Sequence, residues 1–125
     1  MAITVNSKKK QVKKSFQELI NDLMSSSSEK VRYNAARVLG EMGDSKAVEP
    51  LINVLKNDKN GSVRLYAARA LGELGDTKAT EHLIESLRED RNVDVRVRAA
   101  RALGRLGGKI VVEPLVEALN DENSQ

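Results

Sequence analysis

One histidine, no cysteine and a scatter of serines and carboxylates are what the sequence offers for reaction chemistry. His82 is the only imidazole, whereas a transition-metal site needs several convergent ligands. Carboxylates alone would suit at best a weak hard cation. Ser15, Ser25, Ser26, Ser27, Ser28, Ser45, Ser62 and Ser86 lack a base beside them that could activate a nucleophile. No G-x-x-x-x-G-K-S/T phosphate loop is present. Acids are plentiful, 18 against 21 basic residues, but they recur at equivalent positions. Such recurrence marks a solvated face more than an acid/base couple. No enzymatic chemistry, metal or cofactor is expected.

What positions these side chains is a repeat. VRYNAARVLGEMGD at 31 to 44 returns as VRLYAARALGELGD at 63 to 76 and as VRVRAARALGRLGG at 95 to 108. Val31, Val63 and Val95 stand 32 residues apart, and AVEPLINVLK, ATEHLIESLR and VVEPLVEALN keep the same register. Periodicity of this length is the mark of a stacked repeat architecture.

Each copy predicts two helices. Val31, Ala35, Val38, Leu39 and Met42 recur at steps of three and four, one apolar stripe of a first helix. Ala35 and Ala36, with their counterparts at 67, 68, 99 and 100, let helix axes approach closely. The glycine pairs at 40 and 43, 72 and 75, and 104 and 107 are expected to end these helices. Val48, Leu51, Ile52 and Leu55 form the stripe of a second helix, with Pro50 and Pro114 in its first turn. His82 occupies the corresponding place in the middle copy, as a substitute for proline. Leu19, Ile20 and Leu23 match Leu51, Ile52 and Leu55, so a lone second helix precedes the first full copy. The serine run SSSSEK then stands where the inter-repeat loop belongs.

The expected organisation is a basic tail at 1 to 11 and one repeat body at 12 to 125. That body divides into a half repeat, 12 to 30, and repeats at 31 to 62, 63 to 94 and 95 to 125. About seven helices follow, in three and a half repeats of 32 residues. A two-helix unit cannot bury its own apolar face, so the layers must stack. The core is aliphatic, because Phe16, Tyr33 and Tyr66 are the only aromatic residues.

The motif V-R-x-x-A-A-x-x-L-G-x-x-G-D followed by A-V-E-P-L-I-x-x-L resembles HEAT repeats of the phycobilisome-lyase-like type, over about residues 15 to 125. The resemblance implies an all-α, right-handed α-solenoid whose second helices line the concave side. It also implies structural roles for Arg32, Arg64 and Arg96 and for Asp44 and Asp76, bracing turns between layers. Copy three departs from the pattern with Gly108 and Ile110. Iron-dependent hydroxylases of this family hold their metal through His-Glu pairs on the first helices. The matching positions here are Tyr33-Asn34, Leu65-Tyr66 and Val97-Arg98, none of them ligands.

Stacking sets equivalent residues side by side. Gln17, Glu49, Glu81 and Glu113 form one row, and Asn21, Asn53, Glu85 and Glu117 another, both on second helices. By the resemblance they face the concavity and would meet a basic peptide or protein surface; the plainer alternative is solubility with weak local ion pairs. Arg37, Arg69 and Arg101 form a basic row on the first helices. Ile110, Val112 and Val116 belong to the last layer and suggest packing of two chains through it, since terminal repeats normally carry a polar outer face.

Charge weighs against nucleic acid. Residues 1 to 14 hold five lysines and no acid, and the other 16 basic residues against all 18 acids leave the remainder at −2. A basic surface over the body is not indicated. No apolar run approaches the ~20 residues of a membrane span, and no leader segment is evident, so a cytoplasmic location is expected. The function these features predict is a non-catalytic adaptor that binds another protein or peptide. The alternatives are an accessory subunit of a lyase-like enzyme and a weak nucleic-acid binder using KKKQVKK at 8 to 14.

Overall fold

A computed structural model describes residues 13–107 of the 125-residue chain. Among them are six α-helices and no strand: α1 (Phe16–Ser25), α2 (Glu29–Met42), α3 (Val48–Asn57), α4 (Gly61–Leu74), α5 (Thr80–Glu89) and α6 (Val93–Leu106). The chain is an all-α repeat, with α2, α4 and α6 as first helices and α1, α3 and α5 as second helices. The seventh expected helix lies outside the described residues.

Each start and stop has a local cause. Ser15 and Glu18 form a reciprocal capping box at the head of α1, with bonds of 3.1 and 2.8 Å. The first helices are capped at one repeat position, where the side chains of Ser28, Asn60 and Asn92 accept from the amides of Val31, Val63 and Val95. The serine run therefore works as an ordinary inter-repeat loop with its own cap. Gly43 and Gly75 close α2 and α4 in the left-handed conformation, at φ 73° and 69°. Asp44 and Asp76 then accept from the amides of Lys46 and Lys78, both at 2.9 Å, and cap short 3₁₀ turns that lead into α3 and α5.

The core is a set of leucine columns. Leu39, Leu71 and Leu103 are fully buried at one repeat position, Leu51 and Leu83 at a second, and Leu23, Leu55 and Leu87 at a third. Every layer thus contributes the same side chains to an interface shared with its neighbours.

The glycines at 40 and 72 do something other than end helices. Both lie within helices, not at their ends, and both are buried. A Cβ on Gly40 would stand 2.8 Å from the Cα of Ala70, and one on Gly72 would stand 2.9 Å from that of Ala102. These are notches that receive the alanine of the next first helix. Adjacent first helices are in close contact, whereas adjacent second helices meet only sparsely. The small residues that allow this close approach lie on the first helices.

The notches give a paired prediction. Gly72→Ala should destabilise the fold, because backbone would have to shift at Ala102. Gly104, whose added Cβ would meet nothing within 4 Å among the described residues, should behave oppositely. Gly104→Ala should gain about 0.5–1 kcal/mol from helix propensity alone. Urea unfolding of the two variants checks the difference in sign.

Candidate functional site

Two faces of the stack present side chains in register, and a ladder of arginines joins the layers between them. The ladder fixes the geometry of the rest. Arg32 donates from Nε and Nη2 to both carboxylate oxygens of Asp58, at 2.9 and 3.1 Å, and from Nη1 to the Ser26 carbonyl at 3.0 Å. Arg64 repeats this on Asp90, at 2.8 and 3.0 Å, and donates to the Asp58 and Lys59 carbonyls at 2.9 and 3.2 Å. Arg96 donates to the Asp90 carbonyl at 2.7 Å. Each guanidinium thus holds a carbonyl of one loop, Arg64 two, and those of Arg32 and Arg64 also grip the carboxylate of the next. Hydrogen bonding to Asp58 outweighs partial desolvation and holds the Arg32 guanidinium above its ordinary pKa.

Asp58 and Asp90 were not singled out by the sequence pattern of the helices. The signal was available: both follow an Arg of the motif by 26 positions and recur at the repeat spacing. Each also accepts from an amide of its own loop, Asn60 or Asn92, at 2.9 Å. Asp44 and Asp76 act at the opposite end of the second helices, as caps of the 3₁₀ segments, whereas Arg32 and Arg64 pair with Asp58 and Asp90.

On the second-helix face, Gln17, Asn21, Glu49, Asn53, Glu81 and Glu85 are all exposed. The Gln17 amide donates to Asn21 Oδ1 at 3.1 Å, one turn along α1. Glu113, Glu117, Ile110, Val112 and Val116 lie outside the described residues. His82 is half-buried beside Glu81, Glu85 and Glu89 in a shallow surface depression of about 350 Å³. Among the described residues no group of three His, Cys, Asp or Glu side chains could hold a metal ion, and no helix is long and apolar enough to cross a membrane.

The first-helix face turns basic in its last described layer. Arg37 pairs with Glu41 at 3.1 Å and Arg69 with Glu73 at 3.3 Å, each one turn apart. In α6 the same two positions are Arg101 and Arg105. Arg69, Glu73, Arg98, Arg101, Ala102 and Arg105 line a cavity of about 370 Å³. Burial, and then the like charges of Arg101, Arg69 and Arg105, push the Arg98 guanidinium below its ordinary pKa, while Tyr66 opposes them. Tyr66 in turn stacks on Tyr33 across the α2–α4 contact, with ring centroids 5.2 Å apart and planes within 16°.

Comparison with known proteins places the fold. The family described as HEAT repeats matches residues 16–92 and 80–125. Among solved structures, the chain is similar to one in the complex of CpcE and CpcF of phycocyanin lyase from Nostoc sp. PCC7120. The two share 34% sequence identity with a TM-score of 0.77. The match covers 86% of this chain and 43% of that one, so the present chain spans less than half of its length. No curated protein matches the sequence.

Proposed function

Because the chain belongs to the HEAT-repeat family, we propose that it is a non-catalytic scaffold on which another protein docks. The observation that carries this reading is the register of the exposed second-helix side chains. Glu49 and Glu81 occupy one repeat position, with Asn53 and Glu85 one turn along, on helices that the shared core and the arginine ladder hold in place. A surface ordered before contact loses little conformational freedom when a partner arrives. Its acidic side chains suit a partner with a basic surface. The described charged groups outside the ladder are exposed or half-exposed, and the pairs Arg37–Glu41 and Arg69–Glu73 form within single helices, which fits a surface for contact better than a reaction centre.

A more specific assignment has one observation in its favour. The similar solved chain stands in a complex of two proteins of phycocyanin lyase. On that likeness the scaffold would serve as an accessory subunit of a lyase-like complex, with a second protein as its partner.

Affinity capture from native extract, using the wild-type chain and Glu49→Lys/Glu81→Lys/Glu85→Lys in parallel, tests the reading. The wild type should retain a protein that the charge-reversed chain loses by about tenfold or more, as expected when several like charges face a complementary surface. Equal recovery by both would reduce the acidic rows to solubility.

A further inference from the structure

The arginine cluster on the first-helix face breaks the pattern of the layers before it. Positions 37 and 41, and 69 and 73, each hold a base and an acid one turn apart, so those two layers neutralise themselves. Layer three keeps the base and replaces the acid with Arg105, while Arg98 stands where the other copies have Asn34 and Tyr66. With Arg69 from α4, these side chains surround a cavity in which Glu73 is the one acid among the described residues. Arg101 and Arg105 are exposed and Arg98 is half-buried.

We propose that this cavity docks a short acidic stretch of a partner protein, whose Asp and Glu carboxylates are held by Arg98, Arg101 and Arg105. This surface lies on the first helices and has the opposite sign from the second-helix rows, so it stands independently of the function argued above. Guanidinium groups bind carboxylates through paired, charge-assisted hydrogen bonds. A carboxylate entering here would also offset the like charges that, after burial, depress the Arg98 guanidinium.

The surroundings favour a short protein segment over a long polyanion. Glu73 and Glu41 continue the same face toward the earlier layers, and the chain beyond residue 14 carries more acids than bases. A nucleic acid running along the first-helix face would meet those carboxylates within one layer, whereas a short run of acidic side chains would fill the basic spot alone.

The test uses the full chain and a short fluorescein-labelled peptide of Glu, Asp and Ser, followed by fluorescence anisotropy. The wild type should bind the peptide, more weakly as salt rises. Arg101→Glu/Arg105→Glu should weaken binding by at least about tenfold, equivalent to about 1.4 kcal/mol. Arg98→Gln should weaken it in the same direction, and its smaller change guards against loss of fold in the double variant. Glu73→Gln should tighten binding, an effect that damage to the fold would not produce. Helical circular dichroism confirms that each variant is folded. Absence of peptide binding to the wild type would overturn the proposal, as would equal binding by folded arginine variants. Stronger binding of single-stranded oligothymidylate than of the peptide would overturn it in favour of a phosphate polyanion.

Discussion

Asp90→Ala is expected to lower the unfolding free energy by about 3–5 kcal/mol, the range for removing one partner of a buried ion pair. Arg64 is only 5% exposed, and Asp90 accepts from two of its nitrogens. With the carboxylate gone, a guanidinium charge would remain in a site shielded from water. The Asn92 amide would also lose its acceptor at 2.9 Å. The comparison that isolates the buried charge is Arg64→Met/Asp90→Asn, which removes the cation and keeps a side-chain oxygen for the loop. That double variant should recover part of the loss, though the Asp58 and Lys59 carbonyls would then lack their donor. Urea unfolding gives the three free energies. A loss below about 1 kcal/mol for Asp90→Ala would place the pair among ordinary solvated salt bridges and remove the ladder as a source of cohesion.

Leu71→Ala is expected to cost about 2–5 kcal/mol, the lost transfer energy plus the cavity left behind. Leu71 is 0% exposed and sits on α4, between α2 and α6. In a stack whose stability is a sum over layers and their interfaces, a middle position weakens both neighbouring contacts at once. Thermal unfolding followed by helical circular dichroism should show a lower midpoint. A change no larger than that of an exposed substitution would mean that the layer collapses around the gap without strain.

Much of this fold was legible because one interval recurs. The 32-residue register placed the described helices and picked out Leu39, Leu71 and Leu103. Left-handed glycines ended α2 and α4, where the last glycine of each pair was read as a stop. The legible features are local ones, in which a residue acts within its own turn or its own stripe.

Features that failed to show depend on what a residue meets in the next layer. Gly40 looks like a stop beside Gly43, and only the position of Ala70 shows it to be a notch. Asp58 looks like any loop acid until Arg32 reaches it from 26 residues earlier. The second-helix rows stand on exposed positions as far as the described residues run. The arginine cluster was visible only as the row Arg37, Arg69 and Arg101. Its force comes from Arg105, which replaces an acid, and from Arg98, which stands in a different row.

The ladder has a mechanical consequence. Arg64 grips the carbonyls of one loop while its fork closes on the carboxylate of the loop after it. Rotation of one tier against the next would have to stretch several short polar bonds together. The loops on that side therefore act as a linked chain of rivets, and thermal twisting should be shared along the stack rather than concentrated at a single joint.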